Sequence, residues 1–296
     1  MAGVDVVIQA HPLRAQLAKD LAARVGARIC FDPAPEDPVK SPWRTYRHCI
    51  ETAAPDASHL IVIQDDATAC DGFMPAARAA IAARPDRVIV FCVTDAPPWN
   101  RIAIQKALER GSPWAELKYA DFLPVIAVAW PASLARELVA WVDKQDYPPA
   151  SSSFCSSLAS WFADDAAMAG RFLLDRGIVP LATVPSLVDH DDITQSLHCL
   201  ASGAPARRTL LYISRDCDAA SIDYAVEVNP PPPVPTPPTL PASQFAGSSS
   251  SGAFSYWNPF TAEEYATWRG CSLVEATAEI ADAVALGIFV DAGVRS

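Results

Sequence analysis

Short apolar runs alternate with stretches of helical periodicity along the N-terminal part of the chain. Runs of strand length predict β-strands, and apolar residues that recur every three to four positions predict helices. The predicted strands are Val4–Ala10, Arg28–Phe31, His59–Gln64, Arg87–Val93 and Val125–Trp130. The predicted helices are Leu13–Val25, Trp43–Ala53, Met74–Ala83, Ala132–Val142 and Phe154–Arg176.

This alternation is typical of an α/β fold, in which crossover helices join neighbouring strands. It predicts a mostly parallel, Rossmann-like sheet that is covered by helices on both faces. In such sheets, ligands bind outside the carboxyl ends of the strands, near the point where the strand order switches. The polar residues that directly follow each strand are therefore the candidates for function.

The C-terminal part of the chain has a different pattern. Residues 229–255 carry no charged side chain, and eight of the 27 prolines fall within residues 230–241, which indicates an extended linker. Beyond it, two capping boxes predict short helices, with the caps at Thr261 and Ser272 and the acids at Glu264 and Glu275. We therefore expect a domain over residues 1–228, a linker over 229–255 and a small helical C-terminal appendage over 256–296.

Composition narrows the class of protein. With 51% hydrophobic residues and a net charge of −11, the chain is neither disordered throughout nor suited to coating nucleic acid by bulk electrostatics. It contains no membrane-length apolar segment and no signal-peptide pattern, and we expect no membrane association. The eight cysteines form no CxxC pair, which favours reduced thiols and a cytoplasmic location.

Two adjacent carboxylates follow the third predicted strand. Asp65 and Asp66, hereafter the acidic pair, come directly after His59–Gln64. Successive side chains on a strand point in opposite directions, so one carboxylate can face a ligand while the other holds the backbone. Hard oxygen ligands suit Mg²⁺ or Mn²⁺ that bridges a diphosphate. The alternative is an acidic turn without a ligand.

A single histidine between acids ends the apolar run that begins at Val184. The imidazole of His190 is a suitable ligand for Mn²⁺, and Asp189 or Asp191 can fix its tautomer. The alternative is a surface histidine in a polar loop. A literal D-x-D sequence occurs at Asp216 to Asp218, but it follows the histidine and is also typical of a surface turn.

Basic and acidic side chains elsewhere complete the candidate set. Arg14 follows the first strand, and Arg44 and Arg47 lie near the start of a helix that Ser41 and Pro42 open, so all three are placed to hold phosphates or a nucleotide. Asp32 and Asp37 follow the second strand, where an acid can bind a ribose hydroxyl. Exposed helix arginines and loop acids are the alternative interpretation.

Together, these segments resemble nucleotide-sugar glycosyltransferases of the GT-A fold, in particular the glycosyltransferase-like proteins of bacteriophages. The resemblance is carried, in order, by AHPLR (10–14), SPWRTYRHCIE (41–51), HLIVIQDDATACDGF (59–73), DDAAMAGRFLLDRG (164–177) and VPSLVDH (184–190). It covers about residues 4–215 and excludes the linker and the appendage. The acidic motif departs from a strict D-x-D.

The resemblance implies a metal-dependent enzyme that transfers a hexosyl or pentosyl group from a nucleoside-diphosphate sugar to a hydroxyl acceptor. Asp66 and His190 would bind Mn²⁺ or Mg²⁺, and Asp65 would help to hold the metal and donor. Asp165, or less directly Asp164, matches the position of a general base for an inverting reaction.

The acceptor stays open at this point. The phage likeness implies a 5-hydroxymethylpyrimidine in DNA, with the host cytoplasm as the location, and a basic strip at Arg101, Lys106, Arg110 and Lys118 would serve that acceptor. The net charge argues against it. The alternatives are transfer to a glycan or protein, and a non-catalytic GT-A-like binding protein.

Overall fold

The computed structural model describes residues 3–37, 41–94, 100–117, 123–145, 165–190, 208–213 and 217–227, with short stretches at 256–257, 274 and 289–290. The strands are β1 (Val4–Ala10), β2 (Arg28–Phe31), β3 (His59–Gln64), β4 (Ala67–Ala69), β5 (Ile89–Val90), β6 (Trp114–Glu116), β7 (Ala127–Pro131), β8 (Leu181–Thr183), β9 (Val188–His190), β10 (Tyr256–Trp257) and β11 (Phe289–Val290). The helices are α1 (Ala15–Val25), α2 (Pro42–Glu51), α3 (Phe73–Ala83), α4 (Asn100–Glu109), α5 (Ala132–Val142) and α6 (Asp165–Asp175).

A seven-stranded mixed sheet forms the centre of the described domain, in the order β2-β1-β3-β7-β5-β8-β6. β2, β1 and β3 are parallel to one another, and β5 is parallel to β8. β7 lies antiparallel between β3 and β5, and β6 is antiparallel to β8. The carboxyl ends of β1, β2 and β3 therefore meet at one edge of the sheet.

Helices cover both faces of this sheet, as the alternating pattern predicts. Side chains of β1 and β3 point alternately to the two sides, with Val7 and Val62 in one buried cluster and Ile8 and Ile63 in the other. The first cluster includes side chains from α2, α5 and α6, and the second includes side chains from α1 and α3. An α/β architecture with two packed faces is thus established.

Local signals account for the helix ends nearest the site. The Ser41 side chain accepts a hydrogen bond from the Arg44 amide and Pro42 opens α2, so this predicted helix start is confirmed. α1 ends at Gly26, whose φ of 68° is left-handed and whose amide donates to the Ala22 carbonyl. Both helices are thereby fixed beside the carboxyl ends of β1 and β2.

Two features of the predicted sheet differ in the structure. The expectation of a mostly parallel arrangement is wrong for β6 and β7, which run against their neighbours. β7 is buried on both sides and therefore shows the continuous apolar run that is otherwise typical of a parallel strand. The run Arg87–Val93 contributes only Ile89–Val90 to the sheet, and Val88 and residues 91–93 are buried in the core as irregular chain.

A second, two-stranded sheet stands beside the end of β3. β4 pairs antiparallel with β9, which places Ala67 opposite His190 and Thr68 opposite Asp189. Both strands are only three residues long, and the sequence pattern did not predict them. This pairing joins the segment after the acidic pair to the segment that contains His190.

Little of the C-terminal appendage lies within the described residues. The linker at 229–255 and most of the two predicted helices lie outside them. Tyr256–Trp257 pairs in parallel with Phe289–Val290, a strand pair that the capping boxes did not predict, and Val274 is helical. In the parts of the chain described here, no helix is long and apolar enough to span a membrane.

Candidate functional site

The acidic pair lies buried at the carboxyl end of β3. Asp65 is 2% exposed and Asp66 is 3% exposed, although each carries a carboxylate. The Asp65 amide donates to the Gln9 carbonyl, and Asp65 Oδ2 accepts a hydrogen bond of 2.8 Å from the His11 amide. Asp65 therefore holds the backbone that follows β1.

Arg14 bridges both members of the acidic pair. Its Nη2 lies 2.6 Å from Asp65 Oδ1, and its Nη1 lies 3.0 Å from Asp66 Oδ2. The arginine follows β1 in a short 3-10 turn, Pro12–Arg14, that the His11 side chain caps by accepting from the Leu13 amide. The sequence predicted that Arg14 holds a phosphate or a nucleotide. In the structure, its guanidinium instead contacts the two carboxylates.

His190 contacts the acidic pair from the other side. Its Nε2 lies 3.4 Å from Asp66 Oδ1, and the residue is 8% exposed. The pairing of β4 with β9 produces this contact, because it sets His190 directly opposite the residue that follows Asp66. The structure thus brings together Asp66 and His190, which are far apart in the sequence.

The surroundings shift the pKa values of these groups. Burial raises the pKa of Asp66, but contact with His190 and the charges of Arg14 and His190 lower it overall. Burial lowers the pKa of His190, but contact with Asp66 and the charges of Asp66 and Asp189 raise it overall. Burial and the charge of Asp66 raise the pKa of Asp65 to about 6, although the charge of Arg14 opposes the shift.

Asp189 does not hold the His190 ring. Its Oδ1 accepts from the amides of His190 and Thr209, and its Oδ2 contacts the Arg208 guanidinium. The prediction that Asp189 fixes the imidazole tautomer is therefore wrong, because its oxygens hold the chain at residues 208–209 instead. The other candidate for that role, Asp191, lies outside the described residues.

Asp66 and His190 fit two positions of a divalent cation site. Asp66 Oδ1 is buried without a hydrogen-bond partner among the described residues. Two ligand atoms at right angles around a cation with bonds of ~2.1 Å are ~3.0 Å apart, close to the 3.4 Å observed between Asp66 Oδ1 and His190 Nε2. A carboxylate and an imidazole together suit Mn²⁺.

The described residues do not supply a third protein ligand in this arrangement. Within them, no three His, Cys, Asp or Glu side chains converge closely enough to hold a metal ion. Mg²⁺ and related ions commonly use one or two carboxylates and complete their coordination with water and substrate phosphates. Asp66 and His190 would therefore supply two of the ligands that such an ion needs.

Asp165 lies at the start of α6, close to the ends of β1 and β3. Its Oδ2 accepts hydrogen bonds from Gln9 Nε2 at 2.9 Å and from Gln64 Nε2 at 3.3 Å. The register of β1 with β3 places these two glutamines side by side, and Gln64 directly precedes the acidic pair. Asp165 is 3% exposed, and its neighbour Asp164 lies outside the described residues.

Arg44 closes the loop that follows β2. Its Nε and Nη2 each lie 2.8 Å from an oxygen of Asp32, and Nη1 lies 3.1 Å from Asp37. These contacts connect all three residues, so the acids expected to bind ribose and the arginine expected to bind phosphate are partners of one another. In the structure, they stabilise the connection between β2 and α2.

Arg47 lies on another part of α2 and contacts none of these groups. It pairs with Glu51 one turn later and with Asp143 just after α5, and it therefore ties α2 to α5. Asp218 accepts from the Ala220 amide and caps a short 3-10 turn, which agrees with the surface-turn interpretation of the D-x-D sequence. Asp216 lies outside the described residues.

Sequence reasoning missed three polar residues around the acidic pair, namely Gln9, His11 and Gln64. Each had a signal in the sequence. Gln9 interrupts the apolar run of β1, Gln64 ends that of β3, and His11 directly follows β1. In the structure, the two glutamines hold Asp165 and the His11 amide holds Asp65.

No protein-family model and no curated protein matches the chain.

Proposed function

We propose that the protein is a metal-dependent glycosyltransferase of the GT-A type, which moves a sugar from a nucleoside diphosphate to a hydroxyl acceptor. The observation that carries the proposal is the contact between Asp66 and His190 at the carboxyl end of β3. The two-stranded sheet of β4 and β9 builds this contact beside a Rossmann-like sheet. The order of the sequence motifs supports the same family.

The proposed reaction requires negative charge to be stabilised on the leaving diphosphate. Asp66 and His190 would hold Mn²⁺ or Mg²⁺, which supplies that stabilisation when it is bound. Asp65 fixes the backbone after β1 through its bond to the His11 amide, and so holds Arg14 at the same edge. A guanidinium suits paired phosphate oxygens, and we assign Arg14 to the diphosphate.

Asp165 is the residue we assign as general base. It stands next to the acidic pair through Gln64 and keeps its position through two amide donors. Such a carboxylate can accept the proton of an acceptor hydroxyl as the sugar is transferred with inversion. We propose no role in donor binding for Arg44 or Arg47, because their guanidinium groups hold Asp32, Asp37, Glu51 and Asp143.

A second candidate function is favoured by the contacts of Arg14. Its guanidinium pairs with both carboxylates, as a permanent structural ion pair would. Under this alternative, the protein binds a nucleotide or sugar phosphate without transferring the sugar. The two functions differ in whether Mn²⁺ promotes cleavage of a donor.

The test is to incubate the protein with Mn²⁺ and a panel of nucleotide sugars, and to measure the nucleotide released. Parallel reactions contain hydroxymethylated DNA, unmodified DNA, a glycan or no acceptor. We expect metal-dependent release from one class of donor, with stimulation by the true acceptor. Release from no donor in any reaction would contradict the proposal and favour the binding function.

Asp66→Asn is the variant that connects this activity to the site. It removes the charge of a proposed metal ligand, so we expect it to abolish most of the release. Asp71→Asn is the matched control, because Asp71 is 99% exposed and pairs only with Arg24 among the contacts described. Equal loss of activity in both variants would show that Asp66 has no special role.

A further inference from the structure

Arg14 and a divalent cation would compete for the same charge. The guanidinium lies between the two carboxylates, 2.6 Å from Asp65 Oδ1 and 3.0 Å from Asp66 Oδ2. A cation on Asp66 and His190 would lie on the other oxygen of the same Asp66 carboxylate. Like charges repel strongly at such separations when the surroundings are buried. The two positive groups therefore oppose each other in the absence of an anion.

The position of Arg14 also suits an exchange of partners. It lies where the short 3-10 turn meets the start of α1, and 19% of its side chain is exposed, whereas the Asp65 side chain is fully buried. Its Nε is buried without a hydrogen-bond partner among the described residues. The guanidinium thus has an unused donor, and a diphosphate would offer it several oxygens.

We propose that Arg14 occupies the acidic pair until a cation and a diphosphate arrive together, and then transfers from the carboxylates to the phosphate oxygens. The inference rests on the proposed function and deepens it. Without a diphosphate, Arg14 opposes the cation; with one, Arg14 binds the anion that the cation bridges. The cation and the diphosphate consequently bind as a coupled pair, and each raises the affinity of the site for the other.

The first test measures Mn²⁺ binding without nucleotide, from the loss of the paramagnetic resonance signal of aqueous Mn²⁺. Arg14→Gln removes the competing charge, so we expect it to bind Mn²⁺ more tightly than the original protein, on the order of tenfold. Arg24→Gln is the matched control, because it removes one arginine from α1 whose partner, Asp71, is exposed. We expect its Mn²⁺ affinity to be unchanged.

The second test measures calorimetrically the binding of the Mn²⁺ complexes of uridine, guanosine, cytidine and adenosine diphosphates. For the complex that the original protein binds most tightly, we expect Arg14→Gln to weaken binding by on the order of tenfold. One substitution should thus raise the affinity for the metal alone and lower the affinity for the metal nucleotide. General structural damage would lower both.

The outcomes separate this inference from the proposed function. If the original protein binds Mn²⁺, Asp66→Asn abolishes that binding and Arg14→Gln does not strengthen it, the exchange by Arg14 is wrong and the metal site stands. If none of the proteins binds Mn²⁺ with or without nucleotide, both proposals fail. Should Arg14→Gln not fold, Arg14→Met keeps an unbranched side chain and also removes the positive charge, and unchanged affinity for Mn²⁺ would overturn the inference.

Discussion

At the scale of single residues, the two carboxylates after β3 have different surroundings although they are adjacent. Asp66 contacts His190 and Arg14, and these charges lower its pKa despite burial. Asp65 lacks the histidine, and burial together with the charge of Asp66 raises its pKa to about 6. The two residues lie in the turn between β3 and β4, where Asp65 also meets the His11 amide after β1 and Asp66 also meets His190 of β9. We therefore assign metal binding to Asp66 first.

Asp165 provides a residue-scale prediction about the chemistry. Asp165→Ala removes the assigned base, so we expect transfer to slow by about 10² to 10⁴ while binding of the donor nucleotide is retained. Asp165→Asn keeps an acceptor for Gln9 and Gln64 and tests the charge alone. The measurement is the rate of transfer beside the affinity for the nucleotide. Transfer at the original rate in both variants would place the base elsewhere.

At the scale of secondary-structure elements, the long periodic segments were predictable and the short ones were not. β1, β3 and α5 have the predicted bounds because each carries a full apolar pattern, and the four-residue β2 also has them. β4, β6, β8 and β9 have only three residues each, too few for a period to stand out. The sequence also could not show that β7 is antiparallel to its neighbours. A strand that is buried on both faces has a continuous apolar run whether it is parallel or antiparallel.

The candidate site was predictable to the same extent. Asp66 and His190 could be singled out because each follows an apolar run with polar residues behind it. The contact between them depends on β4 and β9, which no sequence pattern indicated. The partner of Arg14 was likewise hidden, because a basic residue after a strand can meet either a carboxylate or a phosphate. Arg44 shows the same ambiguity, with Asp32 as its partner.

The connection between β2 and α2 yields an element-scale prediction about pH. Burial raises the pKa of Asp32, but hydrogen bonds from Arg44 and the Ala34 amide, with the charge of Arg44, lower it below the usual 3.8. A carboxylate with a lowered pKa stabilises the fold above its unfolded pKa, and the stabilisation disappears as the pH falls through the folded pKa.

We therefore expect Asp32→Asn to lower the free energy of unfolding by about 1 to 3 kcal/mol near neutral pH. The difference from the original protein should be complete above pH 3.8 and should shrink below it. Urea unfolding at a series of pH values measures this difference. An advantage of the original protein that grows as the solution becomes more acidic would contradict the assigned ion pair.

At the scale of the whole molecule, the domain extends through the segment just before the linker. Trp114 Nε1 donates to the Tyr224 carbonyl at 3.1 Å, and Arg84 donates to the Val226 carbonyl at 2.8 Å. The Tyr224 ring packs on Trp114 with 5.0 Å between ring centroids. Residues 217–227 therefore cover Trp114 and α3, and they belong to the folded domain rather than to the linker.

Two truncations test this boundary. A chain that ends at Val228 keeps the covering segment, so we expect its thermal midpoint to match that of the full chain. A chain that ends at Asp216 exposes Trp114, which costs about 2 to 3 kcal/mol and lowers the midpoint by roughly 5 to 10 °C. Scanning calorimetry compares the two. Equal midpoints would mean that the covering segment contributes nothing to stability.

The proposed function requires Asp66 and His190 to hold one cation together with a nucleoside diphosphate. The most direct measurement is anomalous diffraction at the manganese edge, from crystals grown with Mn²⁺ and the nucleoside diphosphate that the donor panel identifies. We expect one strong peak within bonding distance, about 2.1 Å, of the Asp66 carboxylate and of His190 Nε2. A bound nucleotide with no manganese peak at Asp66 and His190 would contradict the proposed site.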